Sequence, residues 1–275
     1  MNTFFFALTT GLYILGAGGY IVFIVVQERN IHKIASKILL GGFIFHTISL
    51  VLRYIEVGHM PVASLPESLS FFAWATVGAY LLIQLRYNIM VLGSFVSPIA
   101  TVLMLISFLL PREVTPVSPT LKSLWLTIHV GTAFIGNGAF ALAFCASIMY
   151  LIQERQIKSK KFGAFYHRLP SLSILDDLNY RCLILGFPML TVGIVTGSIY
   201  AQYVWGTYWS WDPKETWSLI TWLIYAALLH ERLAVGWRGR RAAIMAIIGF
   251  MALLFTFLGV NYILKGHHEF SRWLT

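Results

Sequence analysis

Eight apolar runs of roughly 20 residues, separated by clusters of charged residues, limit what this chain can fold into. They lie at about 3–26, 36–55, 68–86, 90–110, 122–152, 182–204, 216–235 and 242–264. Each run is long enough to cross a bilayer, and backbone groups in lipid must be paired within their own segment, which favours helices. We therefore predict an all-α fold, a polytopic membrane bundle of about eight transmembrane helices forming a single domain over 1–275.

The charge content supports a membrane protein and argues against a nucleic-acid-binding one. Charged residues make up 11% of the chain and apolar residues 58%, whereas about a quarter of a soluble domain is charged. The net charge of +9 would suggest nucleic acid in a soluble protein. Here the basic residues lie between the apolar runs, so we expect contact with membrane lipid and no nucleic acid. The stretch 162–178 mixes basic and apolar residues and is consistent with an interfacial helix.

Basic residues are distributed unevenly between alternate loops, which predicts the orientation of the bundle. One set of loops holds 14 of the 20 Lys and Arg residues and the other set holds six. The larger set comprises Arg29, Lys33, Lys37, Arg86, Arg155, Lys158, Lys160, Lys161, Arg168, Arg181, Arg232, Arg238, Arg240 and Arg241. Because Lys and Arg favour the cytoplasmic side, we predict a cytoplasmic (inner) membrane protein with both termini outside the cytoplasm. In a plastid the same face would point toward the thylakoid lumen.

A tryptophan-rich loop follows the sixth run, on the predicted outer side. It reads YVWGTYWSWDPKETW from Tyr203 to Trp217, and it holds four of the nine tryptophans within 13 residues. One interpretation is an aromatic belt at the membrane interface. A belt is normally spread over many helix ends, however, so the alternative is a platform for a flat apolar ligand such as a porphyrin.

The string WGTYWSWDPKETW resembles the WWD signature of heme-handling membrane proteins, and its DPKETW end resembles the CcsA/ResC family in particular. The similarity extends to the loop with Gly58–Pro61 and Glu67, to Ile128–Val130 and to the C-terminal Lys265–His268. It therefore covers most of the chain from the second run onward. The group with this signature also contains CcmC and CcmF.

The resemblance implies a heme lyase, that is, a subunit of a holocytochrome c synthase. Such a subunit presents reduced heme b at the outer membrane face for thioether attachment to the CxxCH motif of apocytochrome c. It implies a CcsB/ResB-like membrane partner and, indirectly, a thiol reductase. This chain has no CxxCH motif and is therefore not itself a c-type cytochrome.

The predicted topology sorts the eight histidines into groups. His129, near the outer end of the fifth run, and His267 and His268, after the eighth, share a side with the tryptophan loop. Three separate stretches thus converge on one face, as an open heme site requires, and imidazole is a common ligand of heme iron. The resemblance implies His129 as one axial ligand and His268 as the other, with His267 as the alternative. A structural buried histidine and a solvated tail remain the other interpretations.

Two further histidines lie deeper in the membrane. His230 is about 15 residues past Glu215, or roughly 22 Å along a helix, so it cannot bind the same iron as His129. The resemblance implies a second heme at His230, with its other ligand from the partner subunit; an ordinary interfacial histidine is the alternative. His46, in the middle of the second run, is an expected heme-contacting residue or an interhelical hydrogen-bonding group.

The remaining candidates are the aromatic and polar residues of the loop and several polar residues elsewhere in the chain. The resemblance implies that Trp205, Trp209, Trp211, Asp212 and Trp217 form the heme-binding surface. We expect Asp212 and Glu215 to orient loop amides or Lys214, and Lys214 or Arg272 to pair with a heme propionate. We also expect His59 to lie near the heme site, and His32 and His167 to be solvated on the cytoplasmic side.

Two other functions are compatible with many of these residues. A CcmC-like carrier would deliver heme without forming a bond, and the additional runs and the DPKETW string argue against it. A membrane cytochrome b subunit for electron transfer would bind heme between paired histidines such as His46 and His230. Their depths differ by about 9 Å, which disfavours that pairing.

Overall fold

The computed structural model describes residues 2–111, 123–160 and 163–264, and these form helices joined by short connections. The helices are α1 (Asn2–Val26), α2 (Arg29–Val57), α3 (Leu65–Tyr87), α4 (Gly93–Leu109), α5 (Leu124–Lys158), α6 (Ala164–Arg168), α7 (Leu172–Trp205), α8 (Pro213–His230), α9 (Arg240–Leu254) and α10 (Val260–Ile263). Two π-helical segments, Glu231–Val235 and Phe255–Gly259, continue α8 and α9. Eight helical spans in this part of the chain are long and apolar enough to cross a membrane, which confirms the predicted all-α membrane bundle.

Residues that tolerate a left-handed backbone end several of the helices. Gly58 has a φ of 72° and closes α2 by donating its N–H to the Tyr54 carbonyl. Asn88, with a φ of 46°, ends α3 in the same conformation. At the start of α3 the Ser64 hydroxyl accepts a hydrogen bond from the Glu67 N–H. These caps satisfy backbone groups that the helix ends would otherwise leave unpaired.

Three helices extend beyond the predicted apolar runs at their charged ends. α2 begins at residue 29 and α7 at residue 172, while α5 continues to residue 158. Charged side chains one helical turn apart pair on these extensions, at 2.7 Å between Lys158 and Glu154 and at 2.6 Å between Arg181 and Asp177. Such pairs support a helix in water, where an apolar pattern is absent. The stretch 162–178 is accordingly not one interfacial helix but is divided between α6 and the first turns of α7.

The described residues form two compact units. The first contains α1 to α4 and α6, with the last turns of α5 and the first turn of α7. In it α1 packs against α2 at small residues, since a Cβ on Gly19 would lie 2.9 Å from the Ala35 Cβ and one on Gly42 would lie 2.8 Å from the Tyr13 ring. Small residues allow membrane helices to approach closely enough for van der Waals contact along their length.

The second unit contains the rest of α5 and α7, all of α8 to α10 and the two π-helical segments. Its centre is aromatic: the Phe140 ring on α5 stacks on the Tyr225 ring on α8, with centroids 3.7 Å apart and an interplanar angle of 4°. Phe144 stacks similarly on Phe250 of α9, at 4.7 Å. This packing fixes the helices that carry the tryptophan loop and His129.

Candidate functional site

The site is built on a close antiparallel seam between α5 and α7. A Cβ on Gly193 would lie 3.2 Å from the Ala133 Cβ, and one on Gly136 would lie 3.0 Å from the Gly186 carbonyl oxygen. The absence of side chains at these glycines lets the two backbones approach. Gly193 and Gly197 are four residues apart, so they lie on the same face of α7.

His129 lies in this seam, where contacts with α7 fix the position of its ring. Its Nδ1 donates a hydrogen bond to the Gly193 carbonyl over 2.6 Å. A carbonyl can only accept, so Nδ1 carries a proton. The ring lies against Gly197, where a Cβ would come within 2.6 Å of its Cε1 and Nδ1 atoms. An imidazole held through Nδ1–H by a backbone carbonyl is the usual arrangement of a metal-ligating histidine.

The first half of the tryptophan loop turns back onto α7. Gly206 has a φ of 74° and lets the chain leave the helix after Trp205. The Ser198 hydroxyl then donates to the Tyr208 carbonyl over 2.8 Å, and Thr207 donates to the Trp209 carbonyl over 3.0 Å. Since Ser198 adjoins Gly197, the loop is bonded to the same turn of α7 that contacts the His129 ring.

The second half of the loop is held by a capping box at the start of α8. The Asp212 side chain accepts from the Lys214 N–H over 2.9 Å, and Pro213 occupies the first helical position. The buried Glu215 carboxylate accepts from the Asp212 N–H over 3.2 Å and from the N–H and hydroxyl of Ser210 over 2.8 and 3.1 Å. The DPKE string is thus a helix-starting motif, and the expectation that Asp212 and Glu215 orient loop amides is confirmed.

Aromatic rings are exposed on the loop and on the last turn of α7. Trp211 is 70% exposed, Tyr208 60% and Tyr203 75%. The Trp209 and Trp211 rings meet edge to face, with centroids 6.0 Å apart. Trp211 has a φ of 58°, a conformation unfavourable for a bulky residue. The exposed Trp211 ring is therefore carried by a strained loop backbone that neighbouring contacts hold in place.

The fourth tryptophan links the loop to the last described part of the chain. The Trp217 ring packs on Phe255 at 4.3 Å between centroids, and Thr256 donates to the Trp217 carbonyl over 3.2 Å. Phe257, in the same π-helical segment, meets Phe134 of α5 edge to face at 5.7 Å. The segment thus contacts both α5 and α8 before the chain continues toward His267 and His268. Those two histidines, like Arg272, lie outside the described residues.

His230 lies at the far end of α8 from the loop and is exposed. Arg232, two residues later, points the other way. It is buried and donates two hydrogen bonds to the Asp176 carboxylate, over 2.7 and 3.0 Å. The Gly239 N–H also donates to Asp176, over 2.8 Å. Because this ion pair holds the Arg232 side of the helix against α7, the side that carries His230 faces outward.

The histidines of the first unit have other surroundings. His46 is fully buried, and its Nδ1 and Nε2 lie 3.1 Å from the Tyr13 hydroxyl and 2.9 Å from the Ser70 hydroxyl. It therefore joins α1, α2 and α3 by hydrogen bonds, and its contact with heme stays a prediction. His59 is also buried, and its Nδ1 donates to the Met60 carbonyl over 2.8 Å.

One expectation about the histidines is wrong. His32 is not solvated but only 7% exposed, because its ring packs against Tyr20 and Phe23 at the α1–α2 contact. His167 on α6 is exposed, as expected. The apolar runs alone could not identify His32 as buried, since α2 begins seven residues before the predicted run and carries His32 into the packed interface.

Sequence reasoning missed the residues of α7 that position His129 and the loop. These are Gly193, Gly197 and Ser198. The spacing of the two glycines, G-x-x-x-G, is a known pattern for close helix packing in membranes. It could have been used to predict the close contact of α7 with another helix. Nothing in the sequence identifies Ser198, because its contact depends on how the loop folds back.

The chain matches a model of the Cytochrome C assembly protein family over residues 62–268. A protein from Guillardia theta described as "Cytochrome c biogenesis protein CcsA" is 38% identical over 265 residues, which cover 90% of this chain and 88% of that protein. A protein of the same description from Parasynechococcus marenigrum is 34% identical, with both chains covered completely. One from Chlamydomonas reinhardtii is 39% identical over 253 residues, which cover 88% of this chain and 70% of that protein.

A solved structure described as "Cytochrome c Heme Lyase CcmF" has a similar fold. It superposes on this chain with a TM-score of 0.65 and 16% sequence identity. The superposition covers all of this chain and 49% of that longer one, so this chain spans about half its length. At this level of identity the likeness concerns the helix arrangement alone.

Proposed function

This chain belongs to the Cytochrome C assembly protein family and, within it, to the CcsA proteins of cytochrome c biogenesis, and from that membership we propose its part in the reaction. It is the heme-handling subunit of a cytochrome c synthase, and it presents reduced heme b at the outer membrane face. The heme is then joined by thioether bonds to the CxxCH motif of apocytochrome c. The observation that carries this proposal is the setting of His129 beside the tryptophan loop.

His129 is the proposed outer ligand of the heme iron. Its Nδ1–H is held by the Gly193 carbonyl, so Nε2 is the nitrogen that we propose for the metal. A backbone acceptor also raises the basicity of the imidazole and fixes the plane of its ring. His268 is the proposed second outer ligand and His267 the alternative. A histidine on each side would hold the iron in its reduced, low-spin form until the apocytochrome arrives.

The tryptophans are the proposed contacts of the porphyrin rings. Trp205, Trp209, Trp211 and Trp217 all lie on or beside the loop, and Trp211 is largely exposed. Each aromatic contact contributes about 0.5–1.5 kcal/mol beyond the area it buries. Asp212 and Glu215 support this surface through the capping box, and Lys214 is proposed to pair with a propionate.

Bond formation needs positioning more than acid–base catalysis. Each thiol S–H adds across a vinyl C=C, so sulfur bonds to one vinyl carbon and hydrogen to the other, with no net oxidation. Holding both groups in reacting geometry lowers such a barrier by several kcal/mol, up to about 7–11. The rigid capping box and the seam between α5 and α7 supply this positioning, and the histidine of the CxxCH motif replaces one outer ligand during the reaction.

His230 is the proposed ligand of a second heme, deeper in the membrane. Its exposure on α8 fits a ligand completed by another subunit, for which we propose a CcsB/ResB-like protein. The buried Arg232–Asp176 pair holds the Arg232 side of the helix inward, so the His230 side faces outward. With that partner the chain acts as a heme lyase, supplied with reduced thiols by a separate reductase, on the periplasmic or lumenal side of the membrane.

Co-expression with a CcsB-like partner and a cytochrome reporter tests this function. We expect heme that stays bound to the reporter after denaturation and gives the pyridine hemochrome of a c-type heme. A reporter whose two CxxCH cysteines are replaced by serine is the control and should hold no covalent heme. A wild-type system that loads heme without any covalent product would overturn lyase activity in favour of a carrier.

The cytochrome b alternative is disfavoured by the surroundings of His46. Both of its ring nitrogens lie within hydrogen-bonding distance of hydroxyl groups, Tyr13 on one side and Ser70 on the other. An axial ligand needs one nitrogen directed at iron. A stable, redox-cycling low-spin heme that survives replacement of both His129 and His268 would restore this alternative.

A further inference from the structure

The hydrogen bond between Ser198 and Tyr208 joins two parts of the proposed heme site. The Ser198 hydroxyl, half-buried on α7, donates to the Tyr208 backbone carbonyl over 2.8 Å. The preceding residue, Gly197, forms the surface against which the His129 ring lies. One turn of α7 therefore contacts both the proposed iron ligand and the loop that carries the aromatic rings.

The two halves of the loop are held in different ways. The Glu215 carboxylate accepts three hydrogen bonds from Ser210 and Asp212, so the second half is fixed to α8. In the first half, Thr207 bonds only within the loop, to Trp209, whereas Ser198 bonds the loop to the helix. Trp211 lies between Ser210 and Asp212, the two residues held by Glu215, in a left-handed conformation. Such a conformation persists when the surrounding contacts over-determine it.

We propose that Ser198 is a positioning residue for heme, through its hydrogen bond to the tryptophan loop. It holds the aromatic surface at a set distance from the His129 imidazole, and it contacts neither the heme iron nor the ligand nitrogen. This inference rests on the proposed function. It predicts that removing the hydroxyl loosens the loop while His129 keeps its bond to the Gly193 carbonyl.

The mobility of the loop can be measured without heme, as the reactivity of a thiol placed on it. A Tyr208→Cys substitution keeps the backbone carbonyl and introduces a thiol, while the native Cys145 and Cys182 are buried. We expect Ser198→Ala to speed the reaction of this thiol with a membrane-impermeant maleimide several-fold, and Ser198→Thr to restore the slow rate. Ser173→Ala removes a serine hydroxyl from the opposite end of α7 and is the matched control; it should leave the rate unchanged.

The second readout is the heme of the protein purified with its partner. One hydrogen bond of this kind changes an equilibrium by about 2- to 10-fold, so Ser198→Ala should weaken heme retention by that factor. The absorption spectrum of the remaining heme should stay low-spin, because His129 is undisturbed. Ser198→Thr should retain heme as the wild type does.

Three results would overturn the inference. Equal maleimide rates with and without the Ser198 hydroxyl would show that it does not hold the loop. A high-spin spectrum in Ser198→Ala, rescued by imidazole, would place its effect on the iron ligand instead. A wild type that carries no heme would refute the proposed function together with this role, whereas a heme-binding wild type with an insensitive loop would refute the role of Ser198 alone.

Discussion

Glu215 shows how a single carboxylate can shape the proposed heme surface without touching the heme. It accepts hydrogen bonds from Ser210 and Asp212, and it is buried. Replacement of Glu215 by Gln keeps the size but removes the charge. Hydrogen bonds to charged groups contribute about 1.5–3 kcal/mol and a helix cap about 0.5–2 kcal/mol. We therefore expect Glu215→Gln to lower the stability of the detergent-solubilised protein by about 1–2 kcal/mol, measured by thermal unfolding.

Asp177→Asn is the matched control for this prediction. Asp177 also accepts from a neighbouring side chain, Arg181 on the next turn, but both partners are about half exposed. Exposed pairs of this spacing contribute about 0.3–0.5 kcal/mol. Equal losses of stability in the two variants would contradict the anchoring role of Glu215, since burial is what distinguishes them.

Among the helices, the seam of α5 and α7 does most to define the proposed iron site. Gly197→Ala would place a Cβ 2.6 Å from the His129 ring, so the imidazole must move. We expect loss of low-spin heme at the outer site, by at least about 10-fold, since a displacement near 1 Å already has large effects in positioned sites. The reduced absorption spectrum of the purified protein measures this change.

Gly131→Ala separates this local effect from a general sensitivity to alanine. Gly131 is on α5, two residues from His129, and a Cβ there meets nothing within 4 Å. It should keep the heme spectrum of the wild type. If Gly131→Ala and Gly197→Ala behaved alike, the seam would not be what positions His129.

The number and approximate location of the helices follow from the sequence because the bilayer sets the required length of an apolar run. Their charged ends do not, as α7 shows. Its first ten residues lie before the predicted run and are stabilised by the pairs Arg181–Asp177 and Arg232–Asp176, and the second of these needs the folded unit. The G-x-x-x-G spacing of Gly193 and Gly197 could have predicted the seam, but not that His129 would occupy it.

Across the whole molecule, the described histidines differ in their environment. In the first unit, His46 and His32 are buried among Tyr, Ser and aromatic side chains, whereas His167 is exposed. In the second unit, His129 is held by a backbone carbonyl beside the loop and His230 is exposed. Sequence and topology alone could sort histidines by depth only. The hydrogen-bond partners of His46 and His129 come from residues far apart in the chain, and the sequence does not reveal them.

The proposed heme site depends most on His129 as an axial ligand of an outer heme. The direct test is to purify the chain with its partner and record reduced absorption spectra of the wild type, His129→Ala and His167→Ala. We predict low-spin b-type heme in the wild type and in His167→Ala, whose histidine is exposed on α6. His129→Ala should hold less heme in a high-spin form, and added imidazole should restore the low-spin spectrum. A wild type without heme, or a His129→Ala spectrum identical to that of the wild type, would contradict the assignment.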